Sequence, residues 1–329
     1  MSVTQTTDLT LVEAVRDGLE GEMRRDDDVL VIGEDVGENG GVFRATEGLY
    51  EEFGEDRVID TPLAESGIVG TSIGMATYGL RPVPEIQFSG FMYPAFDQIV
   101  SHAARMRTRT RGRFTCPLVL RAPYGGGIRA PEHHSESKEA FYVHEAGLKV
   151  VVPSTPYDAK GLLAAAIRAP DPVIFLEPKR LYRAFREEVP ADPYTVELGE
   201  AAVRREGTDV SAFTWGAMTQ PTLDAAERLE DDVDVEVVDL RTLSPLDEDA
   251  ILESFRKTGR AVVVHEAPRT GGLAGEITAT IQENALLYQE APIRRITGFD
   301  VPFPLYALED FYLPGSTRIV DTIEEVAAF

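Results

Sequence analysis

Short apolar runs and amphipathic stretches alternate along almost the whole chain, and few architectures accommodate that rhythm. Thr10 followed by Glu13 is a capping-box pair, and Leu11, Val15, Leu19 and Met23 recur at a spacing of four, which predicts an opening amphipathic helix. Val29 to Ile32 then reads as a buried strand. Further strands are expected near 57–59, 83–88, 117–121, 148–152 and 172–176, with helical patterns at 65–78, 94–106 and 156–168. Strand and helix in this order imply an α/β fold whose mostly parallel sheet is covered on both faces.

From about Tyr182 to Leu198 the pattern lapses into Glu, Pro and Asp, and this stretch reads as a linker. A second, smaller alternation follows, with strands at 210–214, 233–238, 260–264 and 293–296 and helices at 220–229, 247–255 and 273–287. The expected organisation is therefore two α/β domains, 1–190 and 199–329, consistent with 329 residues at roughly 100 to 200 per domain. No repeat of solenoid period interrupts them.

Composition narrows the function. Asp and Glu number 56 against 32 Lys and Arg, a formal charge of −24. That excess argues against nucleic acid as a partner, since such binders neutralise phosphates. Only five of the basic residues are lysine, and the acidic, lysine-poor balance resembles halophilic proteins, whose self-repulsion is screened by salt. One segment, Ser101 to Ala130, holds seven arginines and no acid; it reads as an acid-pairing or subunit-contact surface. Asp224 to Asp239, with eight acids and one arginine, reads as a solvated face. The lone cysteine, Cys116, excludes an internal disulfide and a cysteine-rich metal site. No run approaches the roughly 18 apolar residues of a membrane span, and Met1 to Asp8 lacks the basic and apolar segments of a signal peptide. A cytoplasmic protein with no membrane partner is expected.

Three constellations could carry chemistry. Asp60-Thr61-Pro62-Leu63-Ala64-Glu65-Ser66-Gly67 leaves a strand and enters a helix. Thr61 suits the N-cap and Pro62 the first helical position, which makes Glu65 one residue late to complete a capping box. Behind it Gly67, Gly70 and Gly74 fall at helical spacing, each costing about 1 kcal/mol against alanine, so something is expected to approach that face closely. The second constellation is Tyr124-Gly125-Gly126-Gly127-Ile128-Arg129 followed by His133-His134-Ser135-Glu136-Ser137. It has neither a P-loop ending nor a dinucleotide fingerprint, and adjacent histidines without a His-Glu-x-x-His pattern make a poor metal site. A histidine on a glycine-rich loop is better suited to proton transfer or to stabilising a developing charge. The third, Gly33-Glu34-Asp35-Val36-Gly37, lies at the end of the first buried strand, where open α/β sheets place ligands; its carboxylates could hold a cation or be loop residues.

These residues resemble the beta subunit of the thiamine-diphosphate-dependent decarboxylase component of 2-oxoacid dehydrogenase complexes. The carriers are Gly33-Glu34-Asp35-Val36, Gly40-Gly41-Val42-Phe43-Arg44, Asp60-Thr61-Pro62, Glu65, Glu85-Ile86-Gln87-Phe88, Tyr93-Pro94-Ala95-Phe96-Asp97-Gln98 and His134-Ser135, with Pro153 to Leu163, Leu176-Glu177-Pro178-Lys179, Asp239 to Asp247 and His265-Glu266-Ala267. They span essentially the whole chain.

The resemblance implies a transketolase-like fold, a pyrimidine-binding α/β domain followed by a transketolase-type C-terminal domain. It implies that Glu65 hydrogen-bonds a pyrimidine ring nitrogen of thiamine diphosphate, that Leu63, Gln87 and Phe91 line the pyrimidine pocket beside Glu34, and that His134 stands near the reacting carbons. The reaction implied is decarboxylation of a 2-oxo acid, pyruvate or branched-chain, with acyl transfer to the lipoyl group of an acyltransferase core. The family's Gly-Asp-Gly segment, which binds the diphosphate and Mg2+, occurs nowhere here. An alpha subunit is therefore expected to supply that half of the site in a heterotetramer of two alpha and two beta chains, leaving no metal ligand on this chain. Departures fall at Glu136, where relatives often have Gln, at Ser89-Gly90 and Phe91, and at Ala169, where some relatives use an aspartate to hold potassium. Acetoin dehydrogenase beta chains share the pattern, and a non-catalytic assembly subunit of the same fold is the contrasting reading, against which Glu65 argues.

Overall fold

The computed structural model describes residues 5–329, so the first half of the Met1 to Asp8 segment lies outside the described residues. It divides into two compact units. The first comprises residues up to Tyr124 together with Phe141–Leu198, and the second Gly125–Ala140 together with Gly199–Phe329.

In the first unit, strands β2 (Val29–Gly33), β3 (Val58–Asp60), β4 (Arg81–Glu85), β5 (Val119–Tyr124), β6 (Lys149–Val151) and β7 (Val173–Pro178) lie in the order β6-β7-β5-β4-β2-β3. All of these pairings are parallel. β2, β5 and β7 are buried along their whole length, as strands of a sheet covered on both faces must be; β2 is an unbroken apolar run, whereas β5 and β7 each bury one charged residue, Arg121 and Glu177. The opening helix runs Leu11–Arg25, and Leu11, Val15, Leu19 and Met23 are all fully buried, each contributing about 1.5–3 kcal/mol. The Thr10 N–H and hydroxyl both donate to Glu13 Oε2, at 2.8 and 2.9 Å. This helix packs on the helix Pro156–Arg168, with Gly18 facing Leu163 and the Lys160 backbone, where an added Cβ would make ordinary contacts at 3.5 Å.

Several expectations are corrected. Tyr182 to Leu198 is not wholly a linker: β8 (Glu187–Pro190) pairs antiparallel with β1 (Thr6–Leu9), a non-local ladder without a strong local signal. The expected helix over 94–106 breaks into a 3-10 segment Ser89–Ala95, a π segment Gln98–Ala103 and an α turn Met106–Arg109, since Pro94 has no N–H to continue a regular ladder. Thr61 does not cap the next helix, which runs Glu65–Tyr78 with Ala64 at the N-cap. The carbonyls of Ile167 and Ala169, at the end of the helix where some relatives hold potassium, accept from Arg81 Nη1 at 2.9 and 3.4 Å.

The second unit holds β9 (Ala202–Arg205), β10 (Val210–Thr214), β11 (Val235–Asp239), β12 (Thr242–Ser244), β13 (Ala261–Pro268) and β14 (Arg294–Gly298). Five of them form a sheet in the order β14-β13-β10-β11-β9, parallel except for the edge strand β9. Helices Thr219–Arg228, Glu248–Thr258, Ala274–Ala285 and Ser316–Ala327 accompany it, the last unanticipated. The acidic run at 224–239 is a solvated face only in part, because Glu236 and Asp239 sit buried in β11 and pair with Lys257 and Arg204. Among the described residues no helix is long and apolar enough to cross a membrane.

Candidate active site

Three neighbouring parallel strands of the first unit end in register, Gly33 of β2 standing opposite both Asp60 of β3 and Glu85 of β4. Glu34 follows the first of those ends directly, and Leu63, Glu65, Gln87 and Phe91 follow the other two within six residues; the charge of Glu65 reaches Glu34, from which the sequence separates it by 31 positions. Glu65 opens the helix Glu65–Tyr78, where exposed backbone N–H groups favour a carboxylate. Burial raises the Glu34 pKa above its usual value, and the nearby charges of Asp35 and Glu65 raise it further.

The loop after β2 is built to sit over these ends. Gly37 N–H donates to Asp60 Oδ1 at 2.7 Å, Thr61 N–H to the Gly33 carbonyl at 2.9 Å, and Thr46 Oγ1 to the Val36 carbonyl at 2.8 Å. A Cβ on Gly37 would lie 2.5 Å from Asp60 Oδ2, so the glycine of the Gly33–Gly37 motif is required by that bond. Phe43 stacks edge-on against Phe88 at 5.5 Å, and Phe88 likewise against Phe91 at 5.5 Å, which fixes the wall that carries Gln87.

Beneath the strand ends lies a buried charge network. Arg121, fully buried, donates to Glu177 Oε1 and Oε2 at 2.6 and 3.0 Å and to Glu85 Oε2 at 2.9 Å; Tyr182 donates to Glu177 Oε2 at 2.6 Å. Burial opposes the guanidinium charge, but the two carboxylates outweigh it and hold the Arg121 pKa above normal. Of the arginine-rich segment, Arg105, Arg107, Arg121 and Arg129 all pair with acids.

These residues suit the pyrimidine half of the cofactor and little else of it. A carboxylate at a helix start, an amide at Gln87, and the apolar side chains of Leu63 (70% exposed) and Phe91 offer one ionic, one polar and two apolar partners to a flat heterocycle. The Thr61 hydroxyl oxygen is buried there without a hydrogen bond. Of the glycines behind Glu65, a Cβ on Gly70 would meet Gln98 Oε1 at 3.5 Å, whereas nothing lies within 4 Å of a Cβ on Gly74, and Tyr78 is 91% exposed.

In the second unit, His133 and His134 close a 3-10 turn, Glu132–His134. The His133 side chain is 56% exposed, 3.8 Å from Glu136, whereas His134 is half-buried with its Nδ1 shielded from solvent. The added charge at Glu136 is met by Lys138 at 3.4 Å. Sequence reasoning passed over the anchors of this loop. Glu266 accepts from Gly126 N–H at 2.8 Å, and Glu309 from Arg129 N–H at 3.1 Å. Glu266 was visible in a motif; Glu309 gave no local signal.

The geometry of both units agrees with comparisons to known proteins. Residues 7–184 match the family described as transketolase, pyrimidine binding domain, and 199–319 the transketolase C-terminal domain. A solved structure titled split gene transketolase, inactive beta4 tetramer, superposes with a TM-score of 0.79 over 97% of this chain and 98% of that one, at 22% identity. The fold is thus a two-domain transketolase-type α/β fold. Curated relatives named pyruvate dehydrogenase E1 component subunit beta are 53% identical in Bacillus subtilis and 51% identical in Staphylococcus aureus, over 98% of this chain and 99% of theirs. The chain belongs to the family of 2-oxoacid dehydrogenase E1 beta subunits, on the pyruvate dehydrogenase side.

Proposed function

We propose that this chain is the beta half of a pyruvate-decarboxylating dehydrogenase component in the cytoplasm, active only when an alpha subunit completes its thiamine diphosphate site. The observation that carries the reading is Glu65 at the start of its helix, beside in-register strand ends that also deliver Glu34, Leu63, Gln87 and Phe91. When bound, the cofactor supplies the nucleophilic carbon that adds to the keto group and the electron sink for loss of carbon dioxide. The Glu65 carboxylate holds the proton on a pyrimidine ring nitrogen, the step for which no neutral side chain substitutes. Leu63 and Phe91 exclude water from the ring, and Gln87 orients its polar edge. His134 brings an imidazole to charge that develops during acyl transfer to the lipoyl group of an acyltransferase core.

Diphosphate and Mg2+ ligands are assigned to the alpha subunit, since the Gly-Asp-Gly segment is absent from this chain. The open stretch at Gly74 and Tyr78, and Leu63 exposed two residues before Glu65, suit burial against other subunits in a tetramer of two alpha and two beta chains. The names of the relatives favour pyruvate over branched-chain acids and acetoin. The test is reconstitution. The purified chain should bind thiamine diphosphate weakly and release no carbon dioxide from pyruvate, and mixing with its alpha partner should restore both; robust turnover by the chain alone would contradict the division of labour. Preference of the mixed enzyme for acetoin or a branched-chain acid would overturn the substrate.

A further inference from the structure

The glycine-rich limb that leads to His134 is tied down by groups the proposed chemistry does not use. Arg129 has a φ of 58°, a left-handed conformation that non-glycine residues keep only when their surroundings enforce it. Its N–H donates to both oxygens of Glu309 at 3.1 Å, and its guanidinium to Asp310 Oδ2 at 2.6 Å and the Tyr306 carbonyl at 3.2 Å. Glu309 is 1% exposed. Three residues earlier, Gly126 N–H donates to Glu266 Oε2 at 2.8 Å. A Cβ on Gly125 would stand 3.0 Å from both Glu266 oxygens, and one on Gly126 would stand 2.6 Å from Phe303 Cζ. The return limb is closed by Gly125 N–H to the Glu136 carbonyl at 3.1 Å and Ser135 Oγ to the Ala130 carbonyl at 3.2 Å.

The glycines therefore serve close approach and left-handed turns, and the loop is held at two carboxylates instead of swinging free. We infer that Glu266 and Glu309 are positioning residues, a pair of buried carboxylate clamps that fix the Gly125–Arg129 limb and so present His134 in a single place. The inference rests on reading His134 as the group that meets the reacting carbons. Glu309 acts only through the loop, which gives it a signature that a residue needed merely for stability lacks.

The experiment uses the enzyme assembled with its alpha subunit. In Glu309→Ala, amide hydrogen exchange at Arg129 to His134 should quicken by about tenfold or more while that of Val210 to Thr214 stays unchanged, because the loop opens locally and the core does not. Acyl transfer kcat should fall about tenfold with little change in the KM for pyruvate. In a His134→Ala background the same substitution should add less than about twofold, since both act on one element. Glu309→Gln, whose amide oxygen still accepts the Arg129 N–H, should restore most of the rate. Unchanged loop exchange, or an equal loss of rate in the His134→Ala background, would overturn the inference. If Glu309→Ala does not assemble, Glu309→Asp, whose shorter carboxylate falls short of the Arg129 N–H, should still quicken exchange at Arg129 while Val210 to Thr214 stays unchanged; no change at Arg129 would overturn it equally. A silent His134→Ala would sink the functional reading, whereas the exchange measurement decides the clamp independently.

Discussion

Glu65 and Glu34 come from different strand ends yet share one electrostatic environment, the negative charge of Glu65 adding to burial and to Asp35 in raising the Glu34 pKa. Register alone creates that relationship. If Glu65 holds a ring proton, Glu65→Gln keeps its shape but loses the charge. Turnover of the assembled enzyme should fall by about 10² to 10⁴, with assembly intact by sedimentation, and the Glu34 pKa should move down toward the normal carboxylate range. Near-normal decarboxylation by the variant would remove Glu65 from the mechanism.

The two neighbouring histidines should separate cleanly. His134→Ala is expected to impair reductive acylation of a lipoyl domain more than decarboxylation followed with an artificial electron acceptor, because the lipoyl group arrives after carbon dioxide has left. His133, whose side chain is 56% exposed, is the control and should tolerate alanine in both assays. Damage from His133→Ala with a silent His134→Ala would shift the assignment by one residue.

Glu139 gives a pH signature in stability. It is fully buried, and burial, reinforced by the Glu266 charge and only partly countered by its own backbone, Trp215 and Lys138, pushes its pKa from 4.5 up to about 7. A carboxyl whose folded pKa is raised stays protonated in the folded chain while the unfolded chain ionises. Its stabilising share is complete below about pH 4.5 and is lost as pH rises to about 7, a loss on the order of 3 kcal/mol. Glu139→Gln removes the titration, so the stability of the variant relative to wild type should climb between those pH values and level off above them. A difference that does not vary with pH in paired melting curves would show that Glu139 does not titrate in this way.

Salt should stabilise the protein. With a formal charge of −24, self-repulsion opposes the compact state most at low ionic strength, where the screening length grows from about 3 Å at 1 M to about 30 Å at 0.01 M. The melting temperature should rise steadily with potassium chloride over that range. A flat profile would count against a surface adapted to salt.

Much of the architecture was legible because it is local. The helices at 65–78 and 156–168 and the strand at 210–214 stand where the spacing puts them, since helical spacing and short runs bounded by turns are properties of neighbouring residues. The pairing of β1 with β8 and the breakdown of regular helix around Pro94 were not legible in detail: the first depends on a partner far along the chain and the second on competition between hydrogen-bonding patterns. The glycines at 67, 70 and 74 led to an expectation of close packing that this chain alone does not meet at Gly74.

By itself the sequence determined the α/β class, the two alternations, the family resemblance and Glu65, His134 and the pocket residues as candidates, all of which are carried by residue type and short-range order. Tertiary structure alone decided that Gly33, Asp60 and Glu85 end in register, that Arg121 is caged by Glu85 and Glu177, and that Glu266 and Glu309 clamp the histidine loop. The physical reason is that a hydrogen bond from Arg129 N–H to Glu309 joins residues 180 positions apart, and nothing in the local sequence of either records which partner burial will bring to it.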